Sequence, residues 1–239
     1  MINFIPDTGS TNADLAARLR AGQLVPEGHW LVADRQSAGR GRQGREWCDG
    51  AGNFMGSTVV HQRFGDPPPS TLALLAGLAV HQTVFRHLPS SHRAILKWPN
   101  DVMVNSAKLA GILLEREGEA VIIGIGVNLV SAPQLPDRAT WALADFASAP
   151  TRDTFAAELA GIFAIELERW RSYGLDPILN RWLAAAHPVG TALTTGEPGE
   201  TQLAGKFSGL TADGALQLRL ADGSTRAIHA GEVRLAVLD

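Results

Sequence analysis

Lysine is scarce in this 239-residue chain: only Lys97, Lys108 and Lys206 occur among its 21 basic residues, the others being arginine. Two of the three stand in one short stretch. A single cysteine, Cys48, excludes an intramolecular disulfide framework and fits a reducing compartment. With no histidine near it in sequence to activate it, Cys48 reads as a packed or incidental thiol. Long apolar runs are missing as well. The longest, Leu72 to Val80, contains a glycine and falls far short of the roughly 20 residues that span a bilayer. The N-terminus has no basic segment and breaks its apolar character at Pro6 and Asp7, unlike a signal peptide. The seven histidines show no H-E-x-x-H spacing, which argues against a protein zinc site. Excess basic charge is also lacking: the formal net charge of -3 argues against a general nucleic-acid coat. These absences leave a soluble, cytoplasmic globular protein as the expectation.

What is present suffices for a sizeable core, since 45% of the residues are hydrophobic and 19% charged. The length fits one large domain, or one domain with a small appendage. Ser10 and Thr11 precede a stretch, Asn12 to Arg20, with an acidic first turn and a basic end closed by Gly22, the signature of a short helix. Trp30 to Ala33 and Phe54 to Val60 read as strands; between them, Gln36 to Gly52 carries five glycines and reads as a loop. A breaker, Pro67-Pro-Pro-Ser70, leads into an apolar helix over Thr71 to Leu88. Further β-like runs cover Ala94 to Trp98, Leu109 to Leu114 and Ala120 to Val130, the last two forming a hairpin across Glu117-Gly118. Helical periodicity returns over Asp153 to Tyr173 and Ile178 to Ala186. After His187-Pro188 the texture changes to short β-like runs punctuated by Gly196, Gly199, Asp213-Gly214 and Asp222-Gly223, as in a small all-β barrel. We therefore expect an α+β chain divided at residues 1–188 and 189–239.

The densest chemical signal is Gly39-Arg-Gly-Arg-Gln-Gly-Arg45, preceded by Arg35. Its glycines satisfy G-x-G-x-x-G formally, but the segment runs into Trp47-Cys-Asp-Gly50 rather than opening a helix, and no βαβ unit follows. A Walker P-loop is absent. What remains is a loop whose backbone can approach an anion and whose guanidinium groups can grip one. On this feature alone, nucleic acid and nucleotide phosphates are equal contenders. The segment Lys97-Trp-Pro-Asn-Asp101 places Asn100 and Asp101 at a strand-end turn, since Pro99 keeps Trp98 out of the α region. Lys108-Leu-Ala-Gly-Ile112 sets a lysine at the lip of an apolar strand, with Gly111 able to admit a ligand close to the backbone. Gly124-Ile-Gly-Val-Asn128 ends an apolar run with an amide that must find a hydrogen-bond partner. Among the six tryptophans, Trp47 and Trp98 adjoin these polar motifs and the rest read as core.

Together, Ser10-Thr-Asn12, Gln36 to Trp47, Lys97 to Asp101, Lys108 to Ile112 and Gly126-Val-Asn128 resemble the biotin protein ligases in kind and order. The C-terminal segment, with Gly231-Glu-Val233, resembles that family's small SH3-like domain. The resemblance implies a class II synthetase-like mixed β-sheet with flanking helices, followed by a small β-barrel. It also implies a two-step reaction, in which biotin and ATP give biotinyl-5'-AMP and pyrophosphate before a carrier-protein lysine displaces AMP. The implied catalytic residues are Lys108, Arg40 and Arg42. The biotin side comprises Ser10, Thr11, Asn12, Gln36, Gly39, Arg40, Lys108 and Gly111. The ATP side comprises Arg42, Arg45, Trp47, Asn53, Asn100, Asp101, Lys108 and Asn128, with Asp101 offering a hard oxygen to Mg²⁺. The implied partners are biotin, ATP and a biotin carboxyl carrier protein, without DNA or membrane; a homodimer is open, with no readable interface.

Two departures from the family accompany it. The winged helix-turn-helix of the bifunctional members has no counterpart ahead of the first motif, so no repressor function is expected. Where the family often has a nucleotide-contacting arginine after Gly-Glu-Val, this chain has Ala236, with Arg234 two residues earlier. The alternatives are a lipoate or octanoyl ligase of the same fold, and a non-enzymatic nucleic-acid-binding module using the arginine loop. The polar set Ser10, Thr11 and Gln36 favours biotin over lipoate. The binding module leaves Lys108 and Asn128 without a role.

Overall fold

A computed structural model describes residues 1–196 and 202–235; the expected turn at Gly199 and the position of Ala236 lie outside them. A seven-stranded sheet has the order β1 (Ile2–Thr8), β2 (Trp30–Gln36), β3 (Phe54–His61), β7 (Ala120–Val127), β6 (Ala107–Glu117), β5 (Asp101–Val104), β4 (Ala94–Lys97). Only β1 and β2 run parallel; every other neighbour pair is antiparallel. Helix α1 (Thr11–Arg20) covers part of one face, while α2 (Leu72–Phe85), α3 (Arg152–Tyr173) and α4 (Asp176–Ala185) cover the other. Five more strands form a second, antiparallel sheet: β8 (Ala192–Thr195), β9 (Leu203–Leu210), β10 (Leu216–Arg219), β11 (Thr225–Ile228) and β12 (Val233–Leu235), in the order β11-β10-β9-β8-β12.

The strand period explains the layering. Along β7, Val121, Ile123, Ile125 and Val127 enter the main core under α2 and α3, whereas Ala120 and Ile122 enter the smaller core under α1. Continuing on the α1 side, the next two positions are Gly124 and Gly126. Apolar burial thus stops where the glycines begin, and the sheet face there is bare.

Two strands escape the sequence reading. β1 carries Pro6, which donates no hydrogen bond and suits only an edge strand. β5 is four residues long and begins on a charged residue. Other boundaries shift by a few residues; β7 ends at Val127, so Asn128 lies just past the strand rather than within it. Trp98 belongs to the main core and also lines the cavity described below. It is buried and its Nε1 donates to the Gly214 carbonyl at 3.1 Å, joining the β4–β5 turn to the second sheet.

The helical layer contains one fully buried acid, Glu166 on α3. Arg181 of α4 donates to it at 2.8 Å, Arg169 at 2.8 Å and Gln82 of α2 at 3.2 Å, so one carboxylate ties three helices. Burial acts to raise its pKa, and the hydrogen bonds of Arg181 and Gln82, with the charges of Arg181 and Arg169, outweigh it and hold the carboxyl below its ordinary range. Because the folded-state value is depressed, its contribution is complete above the unfolded value of about 4.3 and is lost as pH falls through the folded value. Glu166→Gln should therefore destabilise the chain by about 3 kcal/mol at neutral pH in urea unfolding, with the loss shrinking in acid below that range. A pH-independent loss would assign the effect to packing instead.

Candidate functional site

The bare face is the floor of a cavity of about 380 Å³. Gly111 pairs with Gly126 across β6 and β7, and Ser57 pairs with Gly124 across β3 and β7. A Cβ at Gly124 would lie 2.4 Å from Asn12 Oδ1, and one at Gly126 would lie 2.2 Å from Trp47 Cε2. Side chains from the walls occupy the space that these glycines leave, so neither position tolerates a methyl group unless its neighbour moves.

Lys108 and Gly111 both line this cavity although they stand three residues apart, a spacing that places residues on opposite faces of a regular strand. A register shift in the β5–β6 ladder resolves this: Val102 pairs with Ala110 and Met103 with Lys108, leaving Leu109 as the extra residue. Leu109 and Ala110 both enter the main core, and the bulge returns Lys108 to the glycine face. Lys108 Nζ then meets Asp101 Oδ1 at 2.6 Å and stands over the Trp47 ring at 5.8 Å.

One end of the cavity is uncharged and buried. Gln36 Oε1 accepts from the Thr11 backbone N–H at 2.8 Å, the Thr11 and Ser57 hydroxyls meet at 2.6 Å, and Ser57 donates to Asn12 Oδ1 at 2.6 Å. Asn12 Nδ2 donates in turn to Glu115, which ion-pairs with Arg40 at 3.6 Å. Ser10 caps α1, and with Thr11, Asn12 and Gln36 it is buried. The helix start thus fixes this polar chain, and Ser10 both caps the helix and lines the pocket.

The other end is cationic. Lys97, Lys108, Arg42, Arg45 and Arg138 converge on it, against Asp101, Asp137 and Glu232. Burial pushes the Lys97 ammonium below the ordinary lysine range, and the nearby Lys108 charge adds to this, opposed by Asp101 and Glu232. The arginine segment folds back on itself: Arg40 bridges Glu46, Gly41 donates to the Arg45 carbonyl at 2.7 Å, and Trp47 donates to the Gly39 carbonyl at 3.0 Å. Between them Arg42–Gly44 makes one 3₁₀ turn with Gln43 in the left-handed region. Arg42 donates to Asn100 Oδ1 at 3.2 Å and to the Gly231 carbonyl at 3.4 Å, and Arg45 pairs with Glu232 at 2.9 Å. The loop therefore straps the cavity to the second sheet. Burial acts to raise the Glu232 pKa, and the hydrogen bond and charge of Arg45, with Arg234 and Arg138, hold it below its ordinary range.

Most expected site residues converge here: Ser10, Thr11, Asn12, Gln36, Arg40, Arg42, Arg45, Trp47, Asn100, Asp101, Lys108, Gly111 and Asn128 all line the cavity. Cys48 lines it too. Two do not. Asn53 is spent as a clamp, its Oδ1 accepting from the backbone N–H groups of Leu129, Val130 and Ser131 and its Nδ2 donating to the Ser131 carbonyl. Gly39 stands outside the cavity, against the Trp47 carbonyl, where a Cβ would lie at 2.5 Å. Arg234 pairs with Glu232 at 3.5 Å and does not line the cavity. Asp101, the carboxylate expected to offer an oxygen to Mg²⁺, is held between Lys108 at 2.6 Å and Lys97 at 3.9 Å, and no cluster of three metal-binding side chains occurs among the described residues.

Ser57, Gly124, Arg138 and Glu232 line the cavity, and Glu115 is tied to it through Asn12 and Arg40; none of these was singled out as a site residue from sequence. For Gly124 and Gly126 a signal existed, two glycines at strand period inside a β-branched run. Ser57 and Arg138 carry none, because nothing local distinguishes them.

Residues 7–128 match the model of the biotin/lipoate A/B protein ligase family, and residues 193–235 match the biotin protein ligase C-terminal domain. A biotin–[acetyl-CoA-carboxylase] ligase of Paracoccus denitrificans is 38% identical over 223 residues, covering 89% of this chain and 91% of the relative. One from Mycobacterium tuberculosis is 34% identical, covering 97% and 88%. Among solved structures, the Aquifex aeolicus biotin protein ligase in complex with biotin and ATP superposes with a TM-score of 0.84 at 23% identity over 98% of this chain and 99% of that one, a likeness of fold. The Leishmania major enzyme in complex with biotinyl-5-AMP gives 0.66 at 26% identity, covering 96% and 98%. With that family's model spanning more than half of its residues and relatives of this identity along nearly all of it, the chain belongs to the biotin/lipoate A/B protein ligase family.

Proposed function

We propose that this chain is an ATP-dependent biotin–[acetyl-CoA-carboxylase] ligase, the activity for which its relatives are named. The observation that carries the reading is a single cavity with two chemically opposite ends on a glycine floor. Paired donors and acceptors at Thr11, Ser57, Asn12 and Gln36 suit an uncharged ureido ring, which a lipoyl dithiolane lacks. The cationic end suits a carboxylate meeting a polyphosphate. We assign residues 1–188 to the activating unit and 189–239 to the small domain. A single free cysteine fits work in the reducing cytoplasm.

In the first step a biotin carboxylate oxygen attacks the ATP α-phosphorus. The bond from that phosphorus to the bridging oxygen breaks, and pyrophosphate leaves with the electron pair. Lys108 changes partner from Asp101 to the meeting carboxylate and α-phosphate, where negative charge is crowded. Arg42 and Arg45 supply further cations. In the second step the neutral amine of a carrier-protein lysine attacks the acyl carbon, the carbon–oxygen bond to AMP breaks, and one proton is released as the amide forms. Trp47 rests on Gly111 and Gly126, so its loop must lift and close again over any ligand that lies on the floor.

Purified protein should show exchange of labelled pyrophosphate into ATP that depends on biotin and is not supported by lipoate or octanoate. Exchange with lipoate but not biotin would select the lipoate-ligase reading, and no exchange with any of them would remove the enzymatic one. Lys108→Ala should lower biotin-dependent exchange about 10²–10³-fold with an unchanged circular dichroism spectrum; full activity would remove Lys108 from the mechanism. Trypsin cleavage within Arg40 to Arg45 should slow when biotin and ATP are added, and an unchanged rate would contradict closure of this loop.

A further inference from the structure

The polar chain at the uncharged end of the cavity has a direction as well as a position. It ends on Glu115, which does not line the cavity and lies two strand periods beyond Gly111 on the same face of β6. Glu115 Oε2 accepts from Asn12 Nδ2 at 2.6 Å, and its other oxygen faces Arg40 at 3.6 Å. Glu117, next on that face, makes a rim pair with the exposed Arg20 at 3.7 Å. Glu115 instead meets a side chain that is only 3% exposed.

A carboxylate only accepts hydrogen bonds, so an amide set against it must present its NH₂ group. Asn12 therefore turns Oδ1 toward Ser57, whose proton is committed to that oxygen at 2.6 Å. At the Thr11–Ser57 contact the proton must then come from Thr11. In this direction Gln36 Oε1 accepts the Thr11 backbone N–H at 2.8 Å and keeps its second lone pair. In the reverse direction Asn12 would donate to Ser57, Ser57 to Thr11, and Thr11 to Gln36 Oε1 across a contact of 3.0 Å that already exists. Gln36 Oε1 would then be full, and the Thr11 hydroxyl would have one lone pair fewer for a ligand.

We infer that Glu115 is a positioning residue for ring recognition: acting through Asn12, it fixes the direction of the chain and leaves Gln36 and Thr11 open as acceptors. Such a wall selects a ring that brings N–H donors, as a cyclic urea does and a dithiolane does not. The inference rests on the ligase reading. Glutamine at position 115 offers both a donor and an acceptor to Asn12, so it permits either direction at nearly unchanged shape.

The test measures labelled-biotin binding by equilibrium dialysis in wild type, Glu115→Gln, Asn12→Ala and the double variant, with the KM for ATP taken from pyrophosphate exchange. Glu115→Gln should weaken biotin binding about tenfold and leave the KM for ATP within twofold of wild type. In the Asn12→Ala background the same change should cost less than a further twofold, because its effect passes through Asn12. A biotin affinity within twofold of wild type in Glu115→Gln would overturn the inference. So would an equal rise in the KM for ATP, or losses that multiply in the double variant, as a purely structural role produces. Wild type that binds no biotin would reject the ligase reading and this inference with it, whereas binding in wild type that Glu115→Gln leaves unchanged would reject the inference alone.

Discussion

The site depends on a stretch of sheet that carries no side chains. Gly111, Gly124 and Gly126 leave a face on which Cβ atoms would collide with Asn12 and Trp47, so wall residues reach the backbone itself. The same strands bury Ile123, Ile125 and Val127 on their other side, and this burial holds the bare face in register. Filling one face stabilises the sheet, and emptying the other makes room for a ligand. The Leu109 bulge makes the two compatible. By sending Leu109 and Ala110 into the core, it brings Lys108 back to the bare face beside Gly111.

Polar groups in the site are held in partnerships that differ in strength. The chain from Gln36 through Thr11 and Ser57 to Asn12 is buried, uncharged and joined by short hydrogen bonds, so it presents a preorganised surface. The cations are provisionally paired: Lys108 with Asp101, Arg45 with Glu232, Arg138 with Asp137. Such pairs keep the charges in place at the cavity wall. The small second sheet takes part directly, because Gly231 and Glu232 hold the arginine loop while Trp98 and Gly214 lock the two sheets together.

Residues in contiguous motifs were legible in the sequence. The helix cap at Ser10, the arginine loop and Lys108 each lie in a run whose spacing has a physical meaning, and the structure brings all of them to one cavity. The clamp at Asn53 was not legible, because an amide beside a glycine-rich loop looks the same whether it faces a ligand or holds, as it does here, three backbone N–H groups. The two lysines around Asp101 were not legible as its partners, because they become its neighbours only once β4, β5 and β6 pair. Ser57 and Arg138 acquire a role solely through strand register and loop docking, which no local pattern encodes. β1 stayed hidden because Pro6 argues against a strand wherever the edge position is not yet known.

In the proposed ligase, one cavity seats an uncharged ring on the Thr11–Ser57–Asn12 chain and an acid group at Lys108. A crystal structure of the protein with biotin tests it most directly. The ureido ring is predicted within hydrogen-bond distance of Ser57, Thr11 and Gln36, with the carboxylate directed toward Lys108 and the Trp47 indole lifted from Gly126. Biotin seated with its carboxylate at the Ser57 end, or bound outside the cavity, would contradict it.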